Sequence, residues 1–202
     1  MKLILASNSP RRRQILTDMG LDFGVCPQNS SEELSDNTFS YKKTEELALR
    51  KCKWAAEYAD NNSIIISADT VVVLDNMILG KPLGKEDAFQ MLKSLSGKTH
   101  SVVTSICGIN TKTNQTAILS VTSSVRFNEL TDDMINYYIE NFKPFDKAGS
   151  YGIQELPPNY TAGFKGSYEN IMGLCPKAVN SVLAQLGYYY RADQEISACL
   201  SD

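Results

Sequence analysis

Histidine is nearly absent from this chain of 202 residues, in which His100 is the only one. Five cysteines, Cys26, Cys52, Cys107, Cys175 and Cys199, are odd in number and scattered, with no C-x-x-C pair. These shortages argue against a zinc site and a disulfide framework, and predict reduced thiols in a cytoplasmic protein. Charge of one sign is lacking as well. A formal net charge of -3 provides no basic field for nucleic acid, so an anion must be bound by a local cluster of Arg and Lys. The opening apolar run is far too short for a signal peptide or a membrane span, and Arg11, Arg12 and Arg13 follow at once, so no membrane partner is expected. No repeat, low-complexity tract or long Gly/Ser/Pro linker divides the chain.

What is present begins with Leu3-Ile-Leu-Ala-Ser-Asn-Ser-Pro-Arg-Arg-Arg13, an apolar strand running into a basic helix start. Ser9 suits an N-cap and Pro10 a first helical position, so the unpaired amides of that helix face back toward the strand end. Guanidinium groups there match phosphate oxygens and keep their proton, which favours a polyphosphate over a neutral ligand. A capped helix with solvated arginines fits the same stretch about equally well.

Further along, helical spacing is expected over residues 9–19, a second strand over 21–27, and a polar loop over 28–41. Thr44 is expected to cap the next helix, in which Leu47, Ala48, Trp54, Ala55 and Tyr58 form an apolar stripe that also contains Lys51. Either that lysine snorkels to water or its ammonium enters a cleft. The β-branched run 64–74 carries Asp69 and Thr70, and a carboxylate in such a strand needs a partner or a task. Asp75-Asn76 suits a hairpin tip, returning through 77–79 to Gly80-Lys81-Pro82. A helix over 84–95, a strand pair 100–109 and 116–127, a Thr131-capped helix ended by Pro144, and a last helix after Pro176 complete the reading. The class is α/β: helices alternate with strands, then a hairpin interrupts, giving a twisted mixed sheet bent into two lobes around a cleft.

Ser7-Asn-Ser-Pro-Arg-Arg, Glu32, Leu47-Ala-Leu-Arg-Lys51, Ser67-Ala-Asp-Thr-Val-Val, Gly80-Lys-Pro, Ser96-Gly-Lys-Thr-His, Lys147-Ala-Gly-Ser-Tyr-Gly-Ile-Gln154 and Gly166-Ser-Tyr-Glu-Asn-Ile-Met-Gly-Leu together resemble the Maf family of nucleoside triphosphate pyrophosphatases. The resemblance covers roughly residues 1–187. It implies an elongated twisted mixed sheet flanked by helices (Maf/ITPase-like), with residues 1–190 as a single domain of two lobes and 191–202 as a tail. It also implies divalent-metal dependence and a homodimer.

Position by position, the resemblance makes Asp69 the proton acceptor, and Arg12, Glu32, Lys51 and Lys81 the cleft residues for phosphate, water or metal. Glu32 and Asp69 are the expected ligands of Mg²⁺ or Mn²⁺, hard ions that prefer oxygen. Ser9 and Arg12 join the substrate-binding set, and Arg11, Thr70 and Gln154 match the branch that hydrolyses dTTP and UTP. The expected reaction is cleavage of an α,β-phosphoanhydride to a nucleoside monophosphate and pyrophosphate. Two other readings remain: a non-catalytic nucleotide-binding regulator of cell division, and a 7-methyl-GTP pyrophosphatase. His100 reads as a structural hydrogen-bonding residue. The family's Gly-Leu-Pro is here Gly173-Leu-Cys-Pro176.

Overall fold

The computed structural model describes residues 1–27 and 36–190. Strand β1, Lys2–Ala6, lies parallel between β2, Gly24–Cys26, and β3, Ser63–Leu74. The remaining pairings are antiparallel: β4, Met77–Leu79, returns along β3, and β5, Thr99–Asn110, and β6, Gln115–Phe127, extend the sheet to β7, Thr161–Lys165. The result is a seven-stranded mixed sheet in the order β2-β1-β3-β5-β6-β7, with β4 beside β3. This matches the expected α/β class.

Helix α1, Pro10–Asp18, puts Ile15 and Leu16 onto one face of the sheet, where α6, Pro176–Gln185, adds Val179, Val182 and Leu183 around Ile64 and Ile66. On the other face, α2, Tyr41–Ala56, packs Ala48, Cys52 and Ala55 against Ile65 and Cys107. A separate apolar cluster forms toward the far end. There α3, Lys85–Leu95, and α4, Asp132–Phe142, close over Val72, Val102 and Phe127. The short helix α5, Tyr168–Met172, follows β7.

One detail of register determines where a ligand can enter. Along one edge β3 pairs with β5 from Ile64 to Val73 without a break. Along the opposite edge it pairs with β1 only as far as Ile66, and with β4 only from Val72. Residues 67–71 therefore have no strand on that side among the described residues.

Several local expectations are corrected. Thr44 does not cap α2; Ser40 does, in extended conformation, its hydroxyl accepting from Lys43 N at 3.4 Å. Thr44 lies within the helix, fully buried. The second strand occupies only Gly24–Cys26 of the expected 21–27, and Tyr58 lies beyond α2 with 70% of its surface exposed. Strand β7 and helix α5 were not anticipated. The Asp75-Asn76 tip is as expected, both residues having positive φ (49° and 64°), the backbone that suits a tight two-residue hairpin.

Candidate active site

The gap beside β3 opens into a cavity of about 750 Å³. Ser9, Arg11, Arg12, Lys51, Asp69, Thr70, Lys81 and Gln154 all line it, although they come from elements distant in the chain. Glu32 lies outside the described residues.

The β1–α1 junction forms one wall. Ser9 occupies the N-cap position with an extended backbone, but its side chain makes no capping bond, contrary to expectation; Ser9 N instead donates to Ser7 Oγ at 3.2 Å. The start of α1, with Ser9, Pro10, Arg11 and Arg12, lines the cavity, and a helix N-terminus favours an anion.

Successive residues of β3 point to opposite faces, so Asp69 and Thr70 serve different partners. Asp69 faces α2, where Lys51 Nζ donates to its Oδ1 at 2.6 Å. Both residues are buried, with 3% of Lys51 and 6% of Asp69 exposed, so the lysine does not snorkel. Ser67, two residues earlier on the same face, donates to Ala48 O at 2.7 Å and anchors α2 against the strand. Charges this dry persist only because they are paired, and the pairing fixes the direction of the carboxylate.

Thr70 faces the other way, toward Arg12. The guanidinium donates from Nε to Gly173 O at 2.9 Å, from Nη2 to Thr70 Oγ1 at 3.1 Å, and from Nη1 to Ser7 Oγ at 3.4 Å. Behind Thr70, its hydroxyl lies 3.0 Å from that of Thr104, which donates to Asn170 O at 3.1 Å. A Cβ on Gly173, whose φ is +119°, would come within 3.4 Å of Thr70 Oγ1. Arg12 is therefore a fixed cation that ties α1, β3 and the end of α5 together.

The opposite rim is a chain of charges. Arg11 Nη1 stands 3.4 Å from Asp146 Oδ2, Asp146 Oδ1 accepts from Lys147 Nζ at 2.9 Å, and the same ammonium stands 3.2 Å from Glu155 Oε2. Burial works against the Asp146 carboxylate, but the hydrogen bond and charge of Lys147 and the charge of Arg11 outweigh it, and its pKa is lowered. Gly149 N donates to Gly80 O at 3.0 Å, which fastens this rim to the end of β4 beside Lys81.

His100 is not part of the cavity lining. Its Nε2 lies 2.6 Å from the hydroxyl of Tyr151, which does line it. Burial pushes the imidazole pKa down to about 4, so the ring is neutral near pH 7 and structural, as expected. Sequence reasoning did not assign Asp146, Glu155 or Thr104 to the site. The only sequence signal for Asp146 and Glu155 was their closeness to the Lys147–Gln154 motif; Thr104 looks like any β-branched strand residue. Among the described residues no group of three or more His, Cys, Asp or Glu side chains is gathered as for a metal ion.

This cavity can hold an extended anion along cationic walls, with one oriented carboxylate beside it. A family model described as Maf-like protein matches residues 2–186. The chain belongs to the Maf family. A relative from Phocaeicola vulgatus, named dTTP/UTP pyrophosphatase, is 44% identical over 190 residues, which are 92% of this chain and 96% of the relative. Proteins of the same name from Flavobacterium johnsoniae and Thermotoga maritima are 43% and 38% identical, covering 92% and 94% of this chain and 95% and 91% of their own lengths. A solved nucleoside-triphosphatase (dITP/XTP pyrophosphatase) from Mycobacterium abscessus overlaps 63% of this chain and 74% of its own, at 14% identity and a TM-score of 0.46.

Proposed function

We propose that this chain is a nucleoside triphosphate pyrophosphatase that hydrolyses the α,β-phosphoanhydride of dTTP and UTP to the monophosphate and pyrophosphate. The observation that carries the reading is the placement of Asp69, a buried carboxylate held by Lys51 on the wall of a cavity that Arg12, Lys81 and the start of α1 make cationic. The names of the relatives point the same way. In this reading the amides of α1 with Arg12 and Lys81 hold the phosphates. Asp69 accepts the proton of the attacking water, in a direction set by Lys51. Gln154 and Thr70 lie where a base and sugar can be read.

A divalent cation fits this donor set. Asp69 offers a hard oxygen at the cavity, and Mg²⁺ or Mn²⁺ needs only one or two carboxylates beside substrate phosphates, Glu32 being the second expected ligand. Such an ion would neutralise charge on the phosphoryl oxygens. We further propose a cytoplasmic homodimer of single-domain, two-lobed subunits, with no nucleic-acid or membrane partner. The scattered cysteines, with no C-x-x-C pair, support the compartment. Among the described residues no helix is long and apolar enough to cross a membrane. The deciding experiment incubates purified protein with Mg²⁺ and a nucleotide panel that includes dTTP, UTP, CTP and 7-methyl-GTP. Pyrophosphate release, fastest from dTTP and UTP, is expected; orthophosphate release, or no turnover, refutes the reaction.

A further inference from the structure

We propose that Glu155 is a positioning residue that fixes the Gln154 amide with its carbonyl oxygen toward the cavity, so that the site selects a base presenting a ring N–H donor. The inference rests on the reading of the cavity as a nucleotide site.

Gln154 Nε2 donates to Glu155 Oε1 at 3.4 Å. The carboxylate cannot easily turn away, because its other oxygen faces Lys147 Nζ at 3.2 Å as an ion pair without hydrogen-bond geometry. Lys147 is itself buried and held on its far side by Asp146. Gly152 adds a steric constraint: a Cβ there would fall 2.8 Å from Gln154 Nε2 and 3.2 Å from Cδ and Cε of Lys147, so amide and lysine stem both pack on its bare backbone.

An amide has two faces that look alike in shape and opposite in hydrogen bonding. Turning it over would set Gln154 Oε1 against Glu155 Oε1, two acceptors with no proton between them. The nitrogen is therefore committed to Glu155, and the acceptor oxygen is what remains for a ligand. Uracil and thymine carry a hydrogen on N3, whereas cytosine has a lone pair there, which such an oxygen repels. Selection at this position follows from a neighbour that itself does not line the cavity.

The test measures dissociation constants of the non-hydrolysable α,β-methylene analogues of UTP and CTP for the full chain and for Glu155→Ala and Glu155→Gln, with hydrolysis of UTP by the unaltered chain followed separately. The unaltered chain is expected to favour the uridine analogue by about tenfold or more, the scale on which an unpaired polar group discriminates. In Glu155→Ala the preference should fall to within about threefold. The near-isosteric Glu155→Gln has one oxygen, which Lys147 takes; its nitrogen then faces Gln154, turns that amide over and shifts preference toward the cytidine analogue. A ratio unchanged in both variants, a parallel loss of both affinities, or no uridine preference in the unaltered chain overturns the inference. Absence of UTP hydrolysis alone refutes the proposed reaction and leaves the affinity ratios to be read.

Discussion

Lys51 Nζ and Asp69 Oδ1 stand 2.6 Å apart with 4% and 8% of their side chains exposed, joining α2 to the unpaired stretch of β3. Each of these charges makes the other tolerable in a dry environment. Removing one partner is expected to cost about 3–5 kcal/mol, because the survivor stays buried without the ion pair. Lys51→Met and Asp69→Asn should therefore each lower the urea midpoint, and the double variant should recover much of the loss. Equal and additive losses in this cycle would show that the two side chains are not coupled.

In the molecules that remain folded, Asp69→Asn also tests the chemistry. An amide cannot accept the proton of water, so turnover should drop by about 10²–10⁴-fold. Its affinity for the α,β-methylene analogue of UTP should stay within about threefold, since Arg12 and the α1 amides remain. Turnover close to that of the unaltered chain would remove Asp69 from the mechanism.

Arg12→Lys should not behave as a conservative change. The guanidinium serves Gly173 O, Thr70 Oγ1 and Ser7 Oγ from three nitrogens, a fork that a single ammonium cannot reproduce. With a charged hydrogen bond worth about 1.5–3 kcal/mol, KM for UTP should rise about tenfold or more, as read from steady-state kinetics.

His100 predicts an acid limb in the stability curve. Its pKa is about 4 in the fold and 6.5 ordinarily, so between those values the unfolded chain binds more protons than the folded one. Stability is fully present above pH 6.5 and is lost as pH falls toward 4. At about 1.4 kcal/mol per unit, the loss from this group is on the order of 3 kcal/mol. His100→Gln should flatten the difference in urea unfolding between pH 7 and pH 4 by about that amount.

Gly149→Ala should loosen the rim that carries Gln154. Its φ is +66°, and a Cβ would lie 2.9 Å from Val72 Cγ2, so strain and a clash combine. A stability loss of about 1–3 kcal/mol is expected, with a raised KM for UTP because Gly149 N also holds Gly80 beside Lys81. The second substitution Val72→Ala removes the two Cγ contacts but keeps the Cβ at 3.0 Å, so it should ease the clash and restore part of the stability.

The sequence made legible those features whose signal is local. An apolar run meeting Ser-Pro-Arg placed the β1–α1 junction within a residue, and a carboxylate within a β-branched run marked Asp69. Lys51 stood out because a cation in an apolar stripe needs an explanation, although its partner was not legible from one strand alone. Thr44 misled because a threonine near a helix start resembles a cap, whereas Ser40 has the extended backbone and Thr44 is buried. Strand β7 is short, with Gly163 at φ +130°, and α5 runs only Tyr168–Met172; neither has room to display a period. The rim from Arg11 to Glu155 depends on chain segments meeting after folding. Glu32 lies outside the described residues.

The unequal lengths of β1 and β4 have a consequence for how this hollow originates. Among the described residues it is a notch in the sheet, where Asp69, Thr70 and Val71 line the cavity on the side on which β3 has no paired strand. An occupant thus meets the central strand of the sheet on one side and the Asp146–Gln154 rim on another. Extending β1 by a few residues would heal the sheet and abolish the pocket in the same stroke.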